Sequence, residues 1–181
     1  NLYAHDKARE LLEAGRFAEA VRILEGILER QPDFLAARNN LGLAYYYMGL
    51  FEKSVQTIDL VLQAEPGNLH ALCNLAIFYQ HSNRAELPGL IRLLKKTVPF
   101  HPEHVFKLAT TLGIVGEHRE AYGHFRRLLR SGELSDEPCL HHFAAVAAVN
   151  IGRFDDAERH WRQADRLDPE SEVPAFYLGK L

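Results

Sequence analysis

Cysteine is scarce: the 181 residues contain two. That excludes a disulfide framework and a cysteine-rich zinc site. There is no long apolar run, because charged residues interrupt each candidate. The sequence therefore predicts no transmembrane span and no signal peptide. There is no basic excess either. Twenty-one Lys and Arg stand against 24 Asp and Glu, for a formal charge of -3. A phosphate backbone needs a concentrated basic surface, so nucleic acid is not an expected partner. Gly113, Gly116 and Gly123 follow no strand and make no phosphate loop. No His-Glu-x-x-His run occurs. Consecutive residues on a helix point about 100° apart, so His141 and His142 do not converge on one metal, and His101 and His104 lack a specified third ligand. His70 and Cys73 lie on one helix without a visible activating neighbour. These absences argue against an enzyme, a cofactor and a bound metal.

What is present is a repeat. Gly15, Gly49, Asn83, Gly116 and Gly152 are spaced by 34, 34, 33 and 36 residues. Pro32, Pro66, Pro99 and Pro169 follow at 34, 33 and 70. The two series agree on one residue lost between Asn83 and Pro99 and two gained after Gly116. The gain is placed in residues 131–138. Within a unit, apolar residues recur at helical period: Ala8, Leu11 and Leu12, then Ala20, Leu24, Ile27 and Leu28; in the next unit, Leu41, Ala44 and Tyr45, then Val55, Ile58, Val61 and Leu62. Each unit thus reads as two helices, the first ended by glycine and the second stopped by proline. Short connections force neighbouring helices antiparallel. Small residues share two registers, Ala8, Gly42, Ala76, Ala109 and Ala145, and Ala20, Ser54, Ala121 and Ala157. A small side chain at a helix crossing lets two backbones approach closely.

Two units depart from the pattern. The third has Asn83 at the turn and Leu87-Pro88 where the small residue would fall. It predicts a left-handed Asn turn and a short, displaced helix carrying Leu87, Ile91, Leu94 and Val98. The fourth has His118 in place of a packed aromatic, which predicts a looser local core.

The pattern resembles the tetratricopeptide repeat family. In the second unit its signature falls on Leu41, Gly42, Tyr45, Gly49, Phe51, Ser54, Ile58, Val61 and Pro66. In the first it falls on Ala8, Leu11, Gly15, Phe17, Ala20, Leu24, Ile27 and Pro32, and in the fifth on Ala144, Ala145, Gly152, Phe154, Ala157, Trp161, Ala164 and Pro169. The resemblance implies an all-α fold, a right-handed α-solenoid of stacked antiparallel helix pairs. It implies one repeat domain over 1–181, with repeats at 1–34, 35–68, 69–101, 102–137 and 138–171 and a partial sixth or capping helix at 172–181. The apolar Phe176-Tyr177-Leu178 suits a chain that continues or an interface that covers this helix; the start at Asn1 rather than Met suits a processed or partial chain.

The resemblance also implies that the first helix of each unit lines a concave side. By register, inward positions include His5 and Arg9, Asn39 and Asn40, Tyr46 and Tyr47, Cys73, Asn74 and His81, Phe106 and Lys107, and His142 and Phe143. Asn40 and Asn74 are 34 residues apart, and an amide can grip a peptide backbone without reading its sequence. The alternative is an amide bonded to a neighbouring helix or to water. Tyr46, Tyr47, His81 and Phe106 are candidates for side-chain pockets, or for ordinary packing between helices. Lys107 would meet a carboxylate or carbonyl. The family's clamp for a C-terminal carboxylate is not matched: His5 and Arg9 stand where Lys and Asn are needed, and only Lys107 follows. The basic run Arg126-Arg127 and Arg130 reads as a solvated or salt-bridged outer face, with Glu133, Asp136 and Glu137 nearby.

The expected function is a protein–protein interaction module that binds an extended peptide or partner segment in its groove. The other reading is a self-association or spacer element of a larger protein, accessory to an enzyme outside this chain, with homo-oligomers formed through the C-terminal helix. A cytoplasmic location is expected.

Overall fold

The computed structural model describes residues 2–82 and 84–180. Every regular element among them is helical: α1 (Leu2–Glu13), α2 (Phe17–Arg30), α3 (Leu35–Tyr47), α4 (Phe51–Ala64), α5 (Leu69–Ser82), α6 (Leu87–Lys96), α7 (Pro102–Ile114), α8 (His118–Ser131), α9 (Pro138–Asn150), α10 (Phe154–Leu167) and α11 (Glu172–Leu178). The chain gathers into two compact units, Asn1–Leu90 and Ile91–Leu181.

The turns follow from backbone chemistry. Gly15, Gly49, Gly116 and Gly152 all have φ between 72° and 90°, a region that costs a residue with Cβ but not glycine. At each, two bonds close the helix end. Arg16 N donates to Leu11 O at 2.8 Å and Gly15 N to Leu12 O at 3.1 Å; Leu50 N donates to Tyr45 O at 2.9 Å and Gly49 N to Tyr46 O at 3.0 Å. This pairing satisfies carbonyls that the helix would otherwise leave orphaned. The turn assigned to Asn83 lies outside the described residues.

In the first unit α1 pairs with α2 and α3 with α4, while α2 packs on α3 and α4 on α5. The first helices also touch in sequence, α1 against α3 and α3 against α5. The small-residue registers explain this spacing. Ala8, Ala20, Ser54 and Ala76 are fully buried. Ser54 Oγ donates to Gly42 O at 2.9 Å, joining α4 to α3 where the backbones meet. Leu24, Ile58, Val61 and Phe78 fill the grooves around these crossings and are almost completely buried. Each contributes on the order of 1.5–3 kcal/mol by leaving water.

The second unit repeats the arrangement, with α7 on α8, α9 on α10, α8 on α9, α7 beside α9 and α11 on α10. Ala109, Ala121, Ala145 and Ala157 are fully buried at its crossings. Leu108, Leu112, Phe125, Leu140 and Trp161 form its core. The insertion falls between α8 and α9, where Gly132 and Leu134 both take positive φ.

α6 is short as expected, 10 residues against 14 for α2, α4, α8 and α10. Pro88 sits in its first turn, where a missing N–H costs nothing. One expectation fails. Val98 is not part of the α6 stripe; it lies past the helix end and is 63% exposed. It precedes Pro99, and a residue before proline is pushed out of helical geometry.

Candidate functional site

In the first unit, the exposed edge of the first helices carries amides, imidazoles and tyrosines. Their placement follows the register of the repeat. Asn40 on α3 is partly buried, and its Nδ2 lies 3.0 Å from His5 Nε2 on α1. Asn74 on α5 is buried, 4% exposed. Asn39, next to Asn40 in sequence, is also buried and donates to Asn68 Oδ1 at 3.2 Å, while Asn68 Oδ1 accepts from Ala71 N at 3.0 Å. The Asn39 amide therefore fixes the entry to α5.

The aromatic residues do assemble. Tyr46 stacks on buried Phe78 at 4.5 Å and meets Tyr47 edge-on at 5.5 Å. Its hydroxyl shares a 2.7 Å hydrogen bond with His81 Nδ1 on α5. Burial pushes the Tyr46 phenol above its ordinary value. Tyr47 stacks on Phe17 at 4.9 Å yet stays 56% exposed. Three of the aromatic candidates thus form one surface, with Tyr46 as the anchored member and Tyr47 and His81 open to solvent.

Phe106 and Lys107 belong to the second unit, on α7, and both are partly buried. Phe106 meets Phe143 of α9 at 5.8 Å and Phe125 of α8 at 6.1 Å. It lines a cavity of about 210 Å³ with Glu103, Leu134, Glu137, Cys139 and Leu140. A second cavity of about 370 Å³ lies among α9, α10 and α11, walled by Pro138, Cys139, His142, Phe143, Val173 and Pro174. The register named His142 and Phe143 as inward. Cys139 and the α11 wall carried no sequence signal, because the insertion loop and the seat of α11 create them. Burial and the charge of Glu137 push the Cys139 thiol up, which makes it a poor nucleophile at neutral pH.

The histidines go to separate partners. His141 Nε2 lies 3.0 Å from Ser135 O, and its Nδ1 faces His160 Nδ1 at 3.5 Å. His142 Nδ1 accepts from Trp161 Nε1 at 3.3 Å. Among the described residues no three His, Cys, Asp or Glu side chains gather as a metal site would require. No helix among them is long and apolar enough to cross a membrane. His118, the aromatic substitute, has a buried Nδ1 that lacks a hydrogen-bond partner among the described residues. On α8, Arg127 donates to Pro99 O. Arg126 and Arg130 form no ion pair among the described residues, so of the two sequence readings the solvated one describes them.

The comparisons bear on the fold. A tetratricopeptide repeat family model matches residues 11–75. The TPR repeat-containing protein YvcD of Bacillus subtilis (strain 168) is 37% identical over 180 residues, which cover 99% of this chain; the chain spans 37% of that protein's length. Among solved structures, TTC0263, a thermophilic TPR protein of Thermus thermophilus, superposes with a TM-score of 0.76 at 17% identity, over 99% of this chain and 97% of that one. MamA from AMB-1 gives a TM-score of 0.57 at 24% identity, over 93% and 99%. At these identities the solved structures speak for the fold alone. Proteins of this fold are typically non-catalytic scaffolds for protein–protein interaction. The helix pairs, the glycine turns and the sequence matches lead to one conclusion: the chain has the stacked helix-pair fold of the tetratricopeptide repeat family, whose model matches residues 11–75.

Proposed function

We propose that this chain is an interaction module that holds an extended segment of a partner protein along the first helices of its pairs. The observation that carries this is the surface formed by Tyr46, Tyr47 and His81 beside the half-buried amide of Asn40. Tyrosine offers a large contact area at low entropic cost and keeps a polar tip. The His5 contact uses one N–H of Asn40; its amide has a second N–H and an oxygen with which to meet a peptide backbone. Asn74 belongs to the same register as a more deeply set member. In the second unit Phe106 would form an apolar pocket and Lys107 would meet a carboxylate or carbonyl. The helix bounds support repeats at 1–34, 35–68, 69–101, 102–137 and 138–171, with 172–181 opening a sixth. Two free cysteines suit a reducing compartment, and a cytoplasmic setting is part of the proposal.

The test is a peptide array probed with the purified chain, followed by calorimetry on the best binder. Asn40→Ala and Tyr47→Ala should each weaken it about tenfold, about 1.4 kcal/mol, with the fold retained at the assay temperature. Affinity equal to wild type in both variants would refute the assignment. The second reading, self-association or a spacer role, rests on α11, where Phe176 is 57% and Val173 47% exposed. Light scattering across a concentration series decides it: a strict monomer counts against self-association.

A further inference from the structure

A cleft separate from the aromatic surface lies between α8 and α10. Its volume is about 300 Å³, and Tyr122, Arg126, Leu129, Arg130, Arg153, Asp156, Arg159 and His160 line it. The spacing explains the convergence. Residues 122, 126, 129 and 130 fall on one face of α8, and 156, 159 and 160 on one face of α10, with Arg153 at its start. Four arginines thus stand against one carboxylate in a chain of net charge -3.

The floor of the cleft is ordered. Tyr122 is 5% and Asp156 7% exposed. Asp156 is held by Arg153 through Oδ2 and by Arg159 through Oδ1, and the Tyr122 phenol also favours its charged form. Burial opposes its ionisation, but these three groups outweigh burial and hold its carboxyl below the usual range. The guanidinium carbons of Arg153 and Arg126 lie 5.5 and 5.9 Å from the Tyr122 ring centre, which anchors both heads beside the floor. A guanidinium has five N–H donors, and Arg153 and Arg159 remain 49% and 74% exposed while bound to Asp156. Arg126 and Arg130 pair with no carboxylate among the described residues.

We propose that this cleft binds carboxylate side chains of an acidic protein segment, with Arg126 and Arg130 as the principal donors and Arg153 and Arg159 completing the rim. Asp156 shows the chemistry from inside the chain: a carboxylate seated between two guanidinium groups and a phenol. The planar fork of arginine matches a carboxylate in a two-point bond, which favours this ligand over a diffuse anion cloud.

The probe is capped hexaglutamate, titrated into the isotope-labelled chain and followed by amide NMR shifts. Saturable shifts confined to residues 122–130 and 153–160 are expected, with affinity falling at least tenfold between about 0.05 and about 0.3 M salt. Arg126→Glu with Arg130→Glu should reduce affinity at least tenfold. Arg126→Gln with Arg130→Gln, which removes two charges without reversing them, should reduce it severalfold, with helicity and melting temperature checked for both. Asn40→Ala should leave it unchanged, so this site and the aromatic surface stand or fall separately. Shifts that fail to saturate, shifts spread over all basic residues, or wild-type affinity in the double variants would overturn the proposal. So would inorganic phosphate or a uridine homopolymer producing the same shifts at lower concentration than hexaglutamate.

Discussion

Gly42 has no room for a methyl group. A Cβ built there would lie 2.7 Å from Ile58 Cδ1 and 2.8 Å from Ile58 Cγ1, and Ile58 is fully buried and stiff at its branch. Gly42→Ala should destabilise the chain by about 1–3 kcal/mol, read by urea denaturation, whereas Gly26→Ala meets nothing within 4 Å and should not destabilise it. His160 gives the clearest response to pH. Its pKa is held at about 4 in the folded chain against an ordinary 6.5. Between those values the unfolded chain binds the proton and the folded chain does not. Stability is therefore full above the upper value and falls as pH drops towards the lower one. After allowance for solvent screening at this partly exposed group, the loss is on the order of 1–2 kcal/mol. Thermal melts at pH 7 and pH 5 should show it, and His160→Asn should reduce the difference without abolishing it, because burial also holds His124, His141 and His142 below the ordinary value. Gly42 was readable in the sequence, since its register recurs with Ala8 and Ala76. His160 was not, since its partners come from α8 and α9 and only the packed helices bring them together.

At the scale of the element, termination carries the fold. Gly49 has a φ of +77°, and nothing lies within 4 Å of a Cβ added there. Substitution at this site therefore isolates backbone strain from packing. Gly49→Ala should lower stability by roughly 1–2 kcal/mol, measured by calorimetry, and Gly49→Asn by less, since Asn visits left-handed geometry more readily. Glycine and proline act on their immediate neighbours, which is why the helix ends were legible without coordinates. The error at Val98 has the same origin. Helical period alone extended the stripe across Val98, and the constraint imposed by Pro99 overrides it. The amides show the limit of register. Asn40 and Asn74 occupy equivalent positions, yet one is partly open and the other 4% exposed, because the depth of a helix in its layer depends on side chains from other helices.

For the molecule as a whole, the helix-pair architecture was legible because it repeats, and each repeat restates the same local rules. The two cavities beside Cys139 were not, because they depend on the insertion loop and on how α11 seats against α10. Repeats that pack on sequence neighbours contribute to stability nearly independently. Leu24 in the first unit and Leu128 in the second are both buried. Leu24→Ala and Leu128→Ala should each destabilise by about 2–5 kcal/mol, and their effects should add to within about 0.5 kcal/mol in the double variant. Trp161 supplies a way to see this happen. It is the sole tryptophan, it stacks on Tyr177 at 4.9 Å with ring planes 7° apart, and its indole N–H is bonded to His142. Emission excited selectively at tryptophan therefore reports on the second unit alone, while far-ultraviolet dichroism sums helices from both. A gap between the two melting curves would reveal one half of the chain letting go before the other, with no dye or label attached.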